Sequence, residues 1–353
     1  MFKNRAKWRA SFEPEFLASI KLAYLLRFFT SLQNRVFNFA EIEISAKLKI
    51  WRNMNFFHAL ILGVVQGIAE FLPISSSGHL AVLQNVFGLQ EVPPLFDVIL
   101  HIPSLLAVII FFRKKIARLF AVLFRWILRK DASQESASYE TASSDGDAFD
   151  LLTGTEKLCR RTIIAVIATT AVTGAIGVFT SKLLPEFPVR VVCIGFLCTA
   201  ALLIAQGIFS RRKILAEKNP ESEKKSTRAS AQGISILQAL AIGVAQGLGT
   251  LPGISRSGST ISGAIFCGVP CAQAAEYSFI VSIPAILAAF VLELRDVQKM
   301  SAVGVLPLVL SCVACFLAAY ASLSWLMKII KKGRLEWFAC YLIPLGILGL
   351  IFF

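Results

Sequence analysis

Apolar residues dominate six long stretches of the chain, at about 95–112, 160–181, 188–209, 275–293, 302–327 and 337–353. Each is near the roughly 20 residues that cross a hydrocarbon core, so the pattern predicts six transmembrane helices. Two further apolar stretches, about 56–74 and 234–254, run into Ser/Gly/Pro clusters and are followed by shorter ones, about 79–89 and 259–270. Each pair predicts a re-entrant helical hairpin, the second helix of the first pair opening near Leu80. Backbone groups freed at such bends find no partner in lipid, so the bends must be buried in protein or line a wet cavity. The expected fold is an all-α integral membrane protein.

The two bends are near copies of each other. Gly63-Val-Val-Gln-Gly-Ile-Ala-Glu-Phe-Leu-Pro-Ile-Ser-Ser-Ser-Gly-His79 returns without a gap as Gly243-Val-Ala-Gln-Gly-Leu-Gly-Thr-Leu-Pro-Gly-Ile-Ser-Arg-Ser-Gly-Ser259, an offset of 243 − 63 = 180 residues. A hairpin plus three spans in each half is an odd number of crossings, which inverts the second half relative to the first. The chain therefore reads as a basic N-terminal extension (1–53), a first repeat (54–209), a cytoplasmic linker (210–233) and a second, inverted repeat (234–353). Inverted repeats of this kind put broken helices near the bilayer midplane, where half-helix N-termini face an anionic ligand.

Charge supplies the orientation. Arg113, Lys114, Lys115, Arg118, Arg125, Arg129 and Lys130, then Arg211, Arg212 and Lys213, then Lys328, Lys331, Lys332 and Arg334 fall on one side, which the positive-inside rule makes cytoplasmic. The opposite loops hold at most Lys182, Arg295 and Lys299, so both hairpins enter from the outer face and the cleft between them opens to the periplasm. Residues 131–156, acidic and Ser-rich, and 214–232, rich in Lys, Glu and Ser, read as disordered cytoplasmic loops. The basic first 53 residues do not fit the parity. An interfacial helix, an extra crossing through about 14–34 and an upstream extension of a chain begun at Met54 all stay open.

Composition agrees with a membrane protein: 56% hydrophobic and 16% charged residues, with a mean hydropathy of +0.68, exclude an ordinary soluble domain. The net charge of +14 follows from the basic loops and calls for no nucleic acid. The eight cysteines lie mostly within apolar segments, as small hydrophobes do, and imply no disulfide framework.

Where the two copies differ, they differ in chemistry. Glu70, Ser76 and His79 in the first become Thr250, Arg256 and Ser259 in the second. Gln66 and Glu70 lie four apart on one helical face, and a carboxylate within an apolar run is costly and by default functional, although simple pairing with a cation would also account for it. Ser75, Ser76, Ser77 and Gly78 break the helix and open a new one whose free amides suit an anion, a role that competes with plain helix capping. Arg256 offers a planar fork for two phosphate oxygens and stays charged, and its own segment holds no acid to pair with. His58 reads as an interfacial residue, and His101 equally as a supporting or a catalytic group. When the halves pack, the bends should meet and place an acid, a hydroxyl, an imidazole and an arginine around one phosphate.

Gln66-Gly-Ile-Ala-Glu70-Phe-Leu-Pro-Ile-Ser-Ser-Ser-Gly-His79 resembles the (E/Q)xxxE-FLP-SS(S/T)GH signature of the undecaprenyl-diphosphatase family, long called bacitracin-resistance proteins. Pro252-Gly-Ile-Ser255-Arg256-Ser257-Gly-Ser-Thr260 is similar to its second signature, PGxSRSxxT, and Asp97-Val-Ile-Leu-His101 to a further family element. The resemblance covers about 54–353; Pro103 stands where the family commonly has Gly. It implies a bacterial inner-membrane enzyme that hydrolyses undecaprenyl diphosphate to undecaprenyl phosphate and inorganic phosphate, recycling the lipid carrier of cell-wall glycans. It also implies a divalent cation, Mg2+ or Ca2+, with Glu70 and Gln66 holding the metal or assisting proton transfer. Ser76, activated by His79, or His79 itself would attack phosphorus; Arg256 with Ser75, Ser77, Gly78, Ser255, Ser257 and Thr260 would bind the diphosphate. The partners implied are the polyprenyl diphosphate and the membrane, with homodimerisation left open.

Two rivals remain. The other great class of membrane lipid phosphatases requires a late histidine, and the chain has none after His101. A flippase for polyprenyl phosphate would use the same phosphate-binding loops without a nucleophile, since inverted repeats with broken helices are above all a transporter architecture.

Overall fold

The computed structural model describes residues 56–89, 94–128, 152–183, 188–216, 233–293, 305–331 and 333–353. These residues belong to one packed unit; the other unit, residues 1–53 with 301–303, lies outside the described residues, as do the readings made for the N-terminal extension. The loop expected over 214–232 and most of that over 131–156 are likewise outside. The last residues of the latter are described: Leu152 is fully buried, and Thr162 Oγ1 donates to its carbonyl at 2.7 Å.

Among the described residues there are eleven α-helices: α1 (Phe56–Phe71), α2 (Ser76–Val86), α3 (Pro94–Phe111), α4 (Arg113–Ile127), α5 (Glu156–Leu183), α6 (Val189–Ala216), α7 (Ile236–Leu248), α8 (Arg256–Phe266), α9 (Cys271–Glu293), α10 (Val305–Lys331) and α11 (Trp337–Phe352). Four of the six expected spans are helices long and apolar enough to cross a membrane, within α5, α6, α9 and α10, which makes the chain a multi-pass membrane protein. The other two differ. The 95–112 stretch is α3, which meets the test only together with α4, and α4 turns away from it by 83°. The last stretch is the 16-residue α11; at 1.5 Å per residue it is about 24 Å long, short of the roughly 30 Å core.

The two Ser/Gly clusters each separate a pair of helices. α1 and α7 begin 180 residues apart, as do α2 and α8. The new helix opens at Ser76, four residues ahead of the expected Leu80, because Ser75 caps it: its hydroxyl accepts from the Gly78 amide. Ser255 does the same for α8 through the Gly258 amide, and Ser235 starts α7 with a reciprocal bond pair to Gln238. An uncapped helix end leaves four amide hydrogens unpaired, so short polar residues at these points decide where the helices start.

Packing crosses between the halves. α1 lies against α10, and α7 against α5. In both pairs the contact runs through a Gly-x-x-x-Gly step that brings backbones together. A β-carbon at Gly63 would collide with the Ser311 carbonyl and one at Gly67 with the Cys315 carbonyl. One at Gly243 would meet Thr169 and Val172, and one at Gly247 would meet Ile176. Hydroxyls then bond across the interface: Ser322 Oγ donates to the Gly67 carbonyl (3.0 Å), Thr169 Oγ1 to Ala239 (2.9 Å) and Thr173 Oγ1 to Gly243 (3.2 Å). With α1 and α7 so held, the bends at 72–75 and 251–255 come together in the interior. Gly78 packs on Gly253 and Phe196, Gly258 on Pro73, and α6 touches both short helices α2 and α8.

This packing predicts a contrast. Gly67→Leu should lower the stability of detergent-solubilised protein by about 1–3 kcal/mol or more, since its neighbours are backbone atoms that cannot yield. Gly174→Ala, on α5 with nothing near the added carbon, should be neutral or gain up to about 1 kcal/mol from helix propensity. Thermal unfolding of both variants checks this, and equal behaviour would refute the α1–α10 contact.

Candidate active site

Glu70 is one residue from the end of α1, with its side chain only 2% exposed. A charge so far from water requires compensation. Three neighbouring residues face one of its oxygens, Oε2: Gln66 Nε2, one turn back, donates at 2.9 Å, Ser76 Oγ donates at 2.6 Å, and His101 Nε2 stands at 3.5 Å. The other oxygen, Oε1, is paired with Nη2 of Arg256. Arg256 is the first residue of α8, 186 positions away in sequence, so the acid of one motif is neutralised by the base of the other.

The second bend is tied to the first by a further bond. Ser257 Oγ donates to the Leu72 carbonyl at 3.1 Å, and Ser255 Oγ lies 3.2 Å from Ser257 Oγ. Thr260 Oγ1 donates to the Arg256 carbonyl at 2.6 Å, closing the first turn of α8 beneath the arginine. The Ser255 amide donates to Thr199 Oγ1 on α6 at 3.0 Å, anchoring the bend. A small pocket sits at this junction, lined by Glu70, Phe71, Arg256, Ser257, Thr260, Ser278, Phe279 and Ser282. Arg256 remains 23% exposed.

Ser75 has φ 69° and is the one described non-glycine residue with positive φ, whereas its counterpart Ser255 has φ −75°. A side chain in the left-handed region costs on the order of 1–3 kcal/mol. Its carbonyl accepts the His79 amide (3.2 Å) and His79 Nδ1 (2.7 Å).

The residues singled out in sequence thus fall into three groups. Gln66, Glu70, Ser76 and Arg256 form one cluster; Ser75, Ser77, Gly78, Ser255, Ser257 and Thr260 build the two bends around it. His79 is held apart from that cluster: its Nε2 lies 2.9 Å from the hydroxyl of Tyr341, and its ring stacks on Tyr341 and leans on Phe196. Ser76 and His79 take different partners, in place of the expected serine–histidine pair. His58 stacks on Phe87, away from the cluster.

Three contributors, Ser278, Ser282 and Tyr341, were not picked out as site residues in sequence, and a fourth, His101, was read there as equally supporting or catalytic. His101 joins Glu70, and its signal was the four-residue spacing from Asp97, whose carbonyl accepts His101 Nδ1 at 2.7 Å. Ser278 and Ser282 reach the pocket from α9; their signal was a pair of hydroxyls one turn apart on an apolar helix. Tyr341 gave no signal.

Among the described residues no three His, Cys, Asp or Glu side chains gather around a metal position. One feature does fit a hard cation. Gln66 Oε1 is a buried acceptor with no partner among the described residues, beside the Glu70 carboxylate. Mg2+ accepts such a sparse set, one carboxylate with the rest of its oxygens from phosphate and water.

Comparison with known proteins agrees with the geometry. The family model described as bacitracin resistance protein BacA matches residues 59–348. A Treponema denticola protein named undecaprenyl-diphosphatase is 43% identical over 296 residues, 83% of this chain and 96% of that protein. Proteins of the same name from Carboxydothermus hydrogenoformans (34% identical; 84% of this chain, 97% of the relative) and Desulfatibacillum aliphaticivorans (35%; 82% and 95%) align over nearly their whole lengths. The matched span takes in both bends and the Glu70–Arg256 pair that joins them, and the chain belongs to the bacitracin resistance protein BacA family.

Proposed function

We propose that this protein hydrolyses undecaprenyl diphosphate to undecaprenyl phosphate and inorganic phosphate. The observation that carries the reading is the Glu70–Arg256 pair, which sets a carboxylate, a hydroxyl and a guanidinium at the crossing of two helix N-termini. The relatives' shared name supports the substrate. Arg256, the hydroxyls of Ser255, Ser257 and Thr260 and the first-turn amides of α2 and α8 hold the diphosphate, a task for which helix N-termini are suited. Ser76 Oγ attacks the terminal phosphorus, and its proton passes to Glu70 Oε2, the oxygen it already faces at 2.6 Å. The bond from that phosphorus to the bridging oxygen breaks, undecaprenyl phosphate departs, and water releases phosphate from the serine. His79 takes a proton from that water through Nε2, while Glu70 returns its proton to the serine; direct attack by His79 on phosphorus is the alternative.

A divalent cation, Mg2+ or Ca2+, would be held by Glu70 and Gln66 Oε1 together with phosphate oxygens, and when bound it neutralises the diphosphate's charge. In the same reading α1–α2 and α7–α8 are re-entrant hairpins of two inverted halves. The equal spacing of their starts and the exchange of partners between α1–α10 and α7–α5 support this. The basic loops support a cleft open to the periplasmic side of the inner membrane. The flippase reading needs no nucleophile; the relatives' names lend it no support.

Phosphate release from a C55 diphosphate by the purified protein tests the activity directly. Arg256→Lys should lower kcat/KM by on the order of 10³-fold although charge is kept, because an ammonium cannot hold two oxygens. Near-wild-type turnover would remove Arg256 from phosphate binding. Ser76→Ala should lose several orders of magnitude in kcat while still binding substrate. Normal turnover, with phosphate trapped on His79, would move the nucleophile without touching the reaction.

Glu70→Gln should abolish most hydrolysis. Gln66→Glu should be tolerated at saturating divalent cation and fail under chelation, since it sets a second carboxylate against Glu70. Equal loss in both variants at saturating cation would show that the two positions do not differ in role.

A further inference from the structure

The geometry points to Tyr341 as a positioning residue for His79, a function that rests on the phosphatase reading but is observable apart from it. The Ser75 carbonyl can only accept, so the His79 nitrogen 2.7 Å from it, Nδ1, carries the hydrogen. In the neutral ring Nε2 is then a lone pair, and the Tyr341 hydroxyl 2.9 Å away donates to it. Backbone and phenol together select one tautomer and fix Nε2 as the basic nitrogen. The rings also stack, with centroids 5.7 Å apart and planes 14° from parallel, while Phe196 closes the other side at 5.1 Å.

The Ile74 backbone also bonds the ring, so the Tyr341 hydroxyl is the side-chain group among His79's bonds that sets its orientation. The serine beside it is engaged by Glu70, so the imidazole is held from α11, a helix that carries no part of either Ser/Gly motif. Tyr341 is half exposed, and the polar pair sits at the edge of the bundle where α2, α6 and α11 approach, outside the pocket at Arg256. The bond and the ring contact described for Tyr341 both go to His79, not to a residue assigned to the diphosphate. Loss of Tyr341 should therefore act on turnover through His79 and leave substrate binding in place.

The test is Tyr341→Phe, which keeps the stacked ring and removes only the hydroxyl. The chain has three histidines, so ¹⁵N-histidine labelling gives a resolvable set, with the His79 signals assigned by their absence in His79→Gln. Tyr341→Phe is expected to shift the His79 Nε2 resonance and leave those of His58 and His101 in place. It should also lower kcat by about ten- to a hundredfold with KM within about twofold. In a His79→Gln background it should have no further effect on turnover.

An unmoved Nε2 resonance, an unchanged kcat, or a full additional loss in the His79→Gln background would each overturn the assignment. Should Tyr341→Phe fold poorly, the wild-type spectrum decides: two protonated nitrogens or an Nε2–H tautomer on His79 at neutral pH would equally refute it. If the wild-type protein releases no phosphate from the diphosphate, the proposed reaction falls, while the spectrum still judges the His79–Tyr341 pair.

Discussion

A carboxylate with 2% of its side chain exposed, inside an apolar bundle, is tolerable only if charge of the opposite sign reaches it, and Glu70 receives that charge from Arg256 in the other half of the chain. This constraint organises the interior. For the pair to form, both polar bends must lie at the same depth, each capped by its own serine and each opening a short helix toward the other. The bond from Ser257 to the Leu72 carbonyl and the packing of Gly258 on Pro73 and of Gly78 on Gly253 follow from the same approach. In the proposed reaction, a phosphate at Arg256 would compete with Glu70 for the guanidinium, and the carboxylate so released would be the acceptor already facing Ser76.

What allows the bends to meet is the absence of side chains where α1 crosses α10 and α7 crosses α5. In lipid there is little hydrophobic force between helices, so close approach and hydroxyl-to-carbonyl bonds supply the association. The two Gly-x-x-x-Gly steps serve this purpose in both halves, with Ser322, Thr169 and Thr173 bonding to backbone that glycine leaves accessible. Each half thereby clasps a helix of the other. The bends differ in chemistry and in backbone: one presents an acid and a hydroxyl and the other a guanidinium. Ser75 is left-handed where Ser255 is extended, and Gly253 has φ 82° where the first copy has Pro73; the first of these lies where the carbonyl turns to His79.

Much of this was legible before any coordinates. The repeat at constant offset, the replacements of Glu70 by Thr250 and of Ser76 by Arg256 between copies and the family signatures identified the cluster, because intramembrane charge is costly enough to stand out against an apolar background. Helix ends were less legible. The onset of α2 at Ser76 in place of Leu80 turned on a side-chain cap, a bond of local geometry that residue type alone leaves undecided. The crossing helices were read from length: α5, α6, α9 and α10 are long and apolar enough to cross, α3 meets that measure together with α4, and α11 is a shorter apolar helix.

The sequence by itself determined the membrane class, the duplicated bends and the identity of the charged residues, since each depends on local composition and spacing. Only the tertiary structure decided which groups share a bond. Ser76 faces Glu70 although the histidine three residues on shares its side of α2, because Glu70 Oε2 lies 2.6 Å from the serine while the Ser75 carbonyl and the Tyr341 hydroxyl hold the imidazole. Tyr341, 262 residues from His79 and on a helix without a motif, could be found in no other way. A contact between distant helices is fixed by the packing of everything between them, which no local pattern records.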